Sequence, residues 1–316
     1  MHAGVQVWQG INAEAAKGQW EFQIEPAPTT AIMRRTDKSS GSAISSRFLA
    51  STDKSPALEI IEVRSDLDSG SAPILCLHGA SSGAWMWEKY LQILAERGRN
   101  AVAVSLRGHG KSGGYDNVQA TTLNDYTDDL VRLLAEFSEP PILIAHSLGA
   151  LIAQHLLGSA RMSAVVLMAP LPPEGMFLLT ARLMTTMPSR WLEAARIVVG
   201  SVPPVVGPIK DLIFSDRFTS SEMEHLMALM VPESARALTD AHLPQLVTPA
   251  FLAGVPTLAI AAELDRLVPT QFVRRTAAYH GGDYFEAKGR GHLLLLEPET
   301  DEIAHMTIDW LQERGL

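Results

Sequence analysis

The sequence holds a single cysteine, Cys76, in 316 residues. No disulfide can form within the chain, which excludes a disulfide-stapled scaffold. Lying in the apolar run Ile74-Leu75-Cys76-Leu77, the thiol reads as a small buried residue of a strand. Long hydrophobic runs are missing too, and none approaches the ~20 residues needed to span a bilayer. The opening residues MHAGVQVWQGINAEAAKGQWEFQ have neither a basic start nor an unbroken apolar core. They do not read as a secretory signal, and a cytoplasmic protein is the expectation. Basic charge is scarce: 26 Lys and Arg against 35 Asp and Glu give a net charge of −9. With no basic stripe to meet phosphates, nucleic acid is not an expected partner. No phosphate-binding loop, dinucleotide fingerprint or metal-ligand pattern is visible. Arg107-Gly108-His109-Gly110 has the wrong spacing for a dinucleotide loop. The expectation is chemistry without cofactor or metal.

What the chain does have is apolar material, 47% of its residues, enough for a sizeable core. Residues 1–42 form an N-terminal extension to which no role is assigned. Within it, residues 12–20 suit a short helix, Pro26-Ala27-Pro28 breaks it, and Lys38-Ser39-Ser40-Gly41-Ser42 suits a flexible turn. From residue 44 the pattern changes. Residues 44–50 and 58–64 read as a strand hairpin, and then strands and helices alternate. Strands are expected at 74–77, 101–106, 142–145, 165–168, 257–261 and 284–286. Helices are expected at 85–96, 121–137, 148–157, 270–279 and 300–312. The clearest is 121–137, with Leu123, Tyr126, Leu130, Leu133, Leu134 and Phe137 on one side. Short apolar strands separated by helices predict an α/β fold, a mostly parallel, doubly wound sheet covered on both faces. Between residues 171 and 254 the alternation stops. That Met- and Pro-rich stretch reads as a helical cap inserted over one end of the sheet, with 43–170 and 255–316 as the core.

Ala145-His146-Ser147-Leu148-Gly149 follows a strand and precedes a helix. A serine before a helix can be an N-cap. The same spacing also fits a nucleophile elbow, a strand-to-helix reversal so sharp that only small residues fit two positions either side of the serine. Ala145 and Gly149 are small, although the usual pattern opens with Gly. An elbow requires two backbone N–H groups as an oxyanion hole. One would come from Leu148 and the other from Ala80, in the loop that follows the strand at 74–77. An elbow also requires an acid and then a histidine, in that order. Asp265 follows the strand at 257–261, and His292 lies in the glycine-flanked stretch Gly289-Arg290-Gly291-His292. Glu263 and Glu174 are rival acids.

These features resemble the α/β-hydrolase fold superfamily from about residue 44 to the end. The resemblance rests on His78-Gly79, Arg107-Gly108-His109-Gly110-Lys111-Ser112, Ala145 to Gly149, Asp265 and His292. It implies a Ser147-His292-Asp265 triad, and it favours Asp265 over Glu263 by position. Haloalkane dehalogenases and soluble epoxide hydrolases resemble this fold but carry Asp at the elbow, so Ser147 points away from their chemistry. Locally, His78-Gly79-Ala80 with Gly83-Ala84-Trp85-Met86-Trp87 is similar to plant methylesterases and hydroxynitrile lyases. The basic loop at 107–112 is more like bacterial esterases.

The expected function is hydrolysis of small to medium, largely apolar carboxylic esters through an acyl-enzyme. Thioester and carbon–carbon hydrolysis use the same triad and remain alternatives. A hydroxynitrile-lyase-like enzyme and a non-catalytic ligand-binding protein are further ones. The expected partner is a small ester or thioester, and the oligomeric state is left open. Candidate substrate contacts are His78, Gly79, His146, Met176 and Phe177. The other cap residues Leu178, Leu179, Met184, Met187, Met223, Met227 and Met230 supply adaptable apolar surface. Arg182, Arg190 and Arg196 are candidates for holding a carboxylate, but surface placement suits them better.

Overall fold

A computed structural model describes residues 44–67, 70–202, 206–298 and 300–316, with the backbone of residues 21–22 and 33–35. The helix expected at 12–20, its proline break and the turn at 38–42 lie outside the described residues.

Ten strands form one sheet in the order β1-β2-β3-β4-β6-β5-β7-β8-β9-β10. The short β1 (Glu21–Phe22) and β2 (Met33–Arg35) were not expected from the sequence; they extend the edge beside β3 (Ile44–Leu49). The hairpin of β3 and β4 (Leu58–Val63) closes with Leu49 opposite Leu58. β4 then joins β6 (Ala101–Val104) antiparallel. The remaining strands are parallel: β5 (Ile74–Leu77), β7 (Ile142–His146), β8 (Ala164–Met168), β9 (Thr257–Ala262) and β10 (Asp283–Ala287).

Alternate residues of the central strands feed two apolar layers. Leu75, Leu77, Leu143, Ala145, Val165 and Leu167 face α2 (Leu123–Leu134), α3 (Ser147–Leu156) and α10 (Thr270–His280). Ile74, Cys76, Ile142, Ile144, Val166 and Ile260 face α1 (Glu88–Glu96) and α11 (Asp301–Gln312). Each fully buried leucine or isoleucine contributes about 1.5–3 kcal/mol by leaving water, so the central strands are held from both sides. Cys76 is fully buried, and burial pushes its thiol pKa far up.

Between β8 and β9 the chain leaves the sheet. The described residues there form α4 (Phe177–Thr186), α5 (Pro188–Val198), α6 (Val206–Ile213), α7 (Ser220–Leu229), α8 (Ala235–His242) and α9 (Ala250–Ala253). Helices α4 to α7 share an apolar cluster that includes Leu183, Ile197, Leu212, Phe214 and Met227. Leu293, from the stretch after β10, belongs to the same cluster and ties it to the sheet. Ala237 and Ala241 of α8 and Ala250 of α9 instead join the sheet layer of Leu75 and Leu77. Among the described residues no helix is long and apolar enough to cross a membrane.

The strand order turns at β5, which lies between β6 and β7. At such a switch point the loops leaving neighbouring parallel strands diverge and open a crevice at their carboxyl ends. Here those loops are residues 78–83 after β5 and the start of α3 after β7.

Candidate active site

Ser147 stands at the junction of β7 and α3 with φ of 51°, a left-handed backbone for a residue with a side chain. That conformation costs about 1–2 kcal/mol and is imposed by tight packing around it. A Cβ on Gly149 would lie 2.2 Å from the His78 carbonyl oxygen, so only glycine fits there. Ala145 occupies the other small position, its methyl fully buried in the apolar layer.

Three side chains from separate loops meet at this turn. Ser147 Oγ lies 3.0 Å from His292 Nε2, and His292 Nδ1 lies 2.7 Å from Asp265 Oδ2. The carboxylate can only accept, so it holds the histidine proton on Nδ1 and leaves Nε2 facing the hydroxyl. Asp265 is itself fixed, because its Oδ1 accepts from the Leu267 and Val268 N–H groups at 2.8 and 2.9 Å. The rival acids point elsewhere. Glu263 accepts from the Gly289 N–H and pairs with Lys288. Glu174 pairs with Arg275.

The loop after β5 crosses directly over the serine. Leu106 N–H donates to His78 Nε2 at 2.9 Å, which places the His78 proton on Nδ1, 2.7 Å from the Gly79 carbonyl. Burial, with His109 beside it, holds the His78 pKa down to about 3, so the ring is neutral and both nitrogens are engaged. A Cβ on Gly79 would meet His146 Nδ1 at 2.7 Å and Ser147 Cβ at 3.0 Å. The expectation that His78 and Gly79 contact substrate is therefore corrected: neither lines the cavity, and both shape the loop. Ala80 comes next, and its N–H donates to no acceptor among the described residues. Leu148, in the first turn of α3, has no carbonyl one turn earlier to bond. Both residues line the cavity in front of Ser147.

That cavity has a volume of about 710 Å³. The helical insertion supplies most of its wall, through residues such as Leu179, Leu183, Ile197 and Leu212. Of the candidate substrate contacts, His146 and Met176 line it, whereas Phe177 does not. Phe177 is 65% exposed. One step along a helix turns a side chain about 100°, so with Met176, Leu179, Thr180 and Leu183 facing inward, Phe177 faces solvent. His146 is kept neutral: burial first, and His292 second, lower its pKa to about 3.

No Lys, Arg, Asp or Glu side chain lines the cavity among the described residues. The three arginines singled out from the sequence are engaged elsewhere: Arg182 with the Arg266 carbonyl, Arg190 with Asp211 and Arg196 with Glu193. Within the wall that the insertion supplies, Thr180 and His242 form a polar pair. His242 Nδ1–H donates to the Leu238 carbonyl at 2.7 Å, so Nε2 accepts the Thr180 hydroxyl at 2.8 Å. Thr180, His242 and the buried Glu233 were not picked out from the sequence, because each lies in the insertion without a local motif.

The model of the alpha/beta hydrolase family matches residues 74–305. Salicylic acid-binding protein 2 of Nicotiana tabacum is 27% identical over 252 residues, covering 72% of this chain and 95% of that protein. A putative non-heme haloperoxidase of Mycobacterium phage D29 is 26% identical over 258 residues, covering 77% and 90%. In structure, a thermophilic esterase from Thermogutta terrifontis superposes with a TM-score of 0.63 at 16% identity, over 84% of this chain and 96% of that one. The family match runs from β5 into the start of α11 and takes in every residue brought together at Ser147, so this chain belongs to the alpha/beta hydrolase family.

Proposed function

We propose that the protein is a serine hydrolase that cleaves uncharged, largely apolar carboxylic esters through an acyl-enzyme. The observation that carries this reading is the continuous chain from Ser147 Oγ through His292 to Asp265, at 3.0 and 2.7 Å. His292 Nε2 takes the hydroxyl proton as Ser147 Oγ attacks the ester carbonyl. The imidazolium that forms is stabilised by Asp265. The oxyanion is received by the N–H groups of Ala80 and Leu148, each such donor being worth about 2.7–4 kcal/mol. His292 then returns its proton to the leaving alkoxide, and the alcohol departs. Water, deprotonated by His292, attacks the acyl-enzyme and releases the carboxylic acid and free Ser147.

The insertion serves as a lid, and its wall sets the substrate. A carboxylate buried against that wall would have no cation to pair with, a cost of several kcal/mol. The acyl group is accordingly neutral. Thr180, whose proton is committed to His242, presents oxygen lone pairs to a hydroxyl or N–H on the substrate.

Rapid mixing of the protein with a 4-nitrophenyl alkanoate tests the mechanism. The expected result is a burst of nitrophenol matching the active-site concentration, with an added acyl mass on intact protein. Turnover without any covalent species, under conditions that trap acyl-enzymes, would overturn it. Comparing oxygen esters with thioesters of the same acyl chain then separates esterase from thioesterase.

A further inference from the structure

Glu233 lies between α7 and α8, is 1% exposed, and belongs to the insertion. Its carboxylate is surrounded by donors, all but one of them from the sheet domain. Oε1 accepts the Tyr126 hydroxyl at 2.6 Å and the Ser234 N–H at 2.8 Å. Oε2 accepts the Ser81 N–H at 3.1 Å, and His109 Nε2 lies 3.2 Å from the same oxygen. Two residues earlier, the Val231 N–H donates to the Ser81 carbonyl at 3.0 Å. Gln119 Nε2 donates to the Glu233 carbonyl at 3.0 Å. Ser81 is thus gripped through both its N–H and its carbonyl by residues 231–233.

What this grip holds is the residue next to Ala80. Ser81 has φ of 61°, a left-handed backbone that a serine adopts only when its surroundings enforce it. Engaging the Ser81 N–H also removes it as a competing donor beside the Ala80 N–H. A buried carboxylate used only to fasten helices would be replaceable by apolar packing at no loss. Here it terminates on the backbone of the loop that crosses Ser147.

We infer that Glu233 is a positioning residue for the oxyanion hole, holding the Ala80–Ser81 loop in its working geometry from the insertion. The inference rests on the acyl-transfer function proposed above. Glu233 touches no reacting atom and acts through Ser81.

The test compares wild type, Glu233→Gln and Glu233→Asp on a neutral 4-nitrophenyl ester, with an alkylboronic acid as tetrahedral mimic. Glu233→Gln is expected to lose at least tenfold in kcat with KM within about threefold. Boronate affinity should weaken by the same factor as kcat/KM, and Glu233→Asp should fall between. A folded Glu233→Gln with unchanged kcat and boronate affinity overturns the inference. If Glu233→Gln does not fold, Val231→Pro takes its place. It removes the N–H that holds the Ser81 carbonyl, and the extended backbone of Met230 (φ −73°, ψ 143°) accepts a following proline. The same parallel loss supports the inference, and unchanged kcat and boronate affinity overturn it. Failure of wild type to bind the boronate or to form an acyl-enzyme would instead strike at the acyl-transfer function itself.

Discussion

His146 Nε2 donates to the backbone carbonyl of His292 at 2.8 Å, and the two rings lie 4.9 Å apart. The residue just before the elbow serine thus anchors the stretch that carries its histidine partner. A loop histidine gains its accuracy from such a tie. Replacing His146 by Phe fills the space but removes the donor. A hydrogen bond of this kind is worth about 0.5–1.5 kcal/mol, so kcat should fall about two- to tenfold with KM little changed. Steady-state kinetics beside a melting curve checks this. An unchanged kcat would mean that the His292 stretch is held by other contacts.

Ser147 carries its hydroxyl on a left-handed backbone, with φ of 51°. Alanine there keeps the strain, while glycine relieves it. Both variants should be inactive, and Ser147→Gly should be more stable than Ser147→Ala by about 1 kcal/mol. Chemical denaturation of the pair measures this. Equal stabilities would show that the elbow is not under backbone strain.

The same geometry shows how much was legible beforehand. The strands at 74–77, 142–146 and 257–262 were readable because each is a short apolar run that ends at a polar or small residue. Ser147 and Asp265 stood out because each follows such a run, and His292 because it lies in the glycine-flanked stretch Gly289-Arg290-Gly291-His292. β1 and β2 are only two and three residues long, too short for any periodicity. Phe177 was misplaced because hydrophobic character was read without the phase of α4. Glu233 left no trace, since its partners Ser81 and Tyr126 lie 152 and 107 positions away. A carboxylate in a connection between helices reads as solvated until the fold brings those donors to it.

Glu233 also carries a pH signature. Burial by itself would raise its pKa, but the charge and proximity of His109, then the hydrogen bonds from Tyr126 and Ser234, bring it from 4.5 down to about 2. Between those values the unfolded chain binds a proton that the folded chain does not, so stability falls as pH falls. The contribution is complete above the unfolded value and lost as pH drops toward about 2. His109 runs the other way. Burial opposes its charge, but Glu233 outweighs burial and raises its pKa, so its contribution is present at low pH and lost as pH rises. Unfolding free energies of wild type and Glu233→Gln, followed from about pH 5 to about pH 3, should converge, with wild type the more stable at pH 5 and falling more steeply. Parallel curves would show that Glu233 is not held ionised by the fold.

The uncharged wall of the cavity makes a prediction about substrate. Of two nitrophenyl esters matched in acyl length, one ending in methyl and one in carboxylate, the neutral ester should have the higher kcat/KM by about 100-fold or more. That ratio corresponds to burying an unpaired carboxylate at a cost of several kcal/mol. A ratio near one would place the acyl group outside the cavity.

Intact-mass labelling with a fluorophosphonate, on wild type and Ser147→Ala side by side, tests whether Ser147 is an activated nucleophile. One adduct on wild type and none on the variant is the expected outcome. An adduct that persists on Ser147→Ala, or none on folded wild type, would contradict the assignment of Ser147 as the nucleophile.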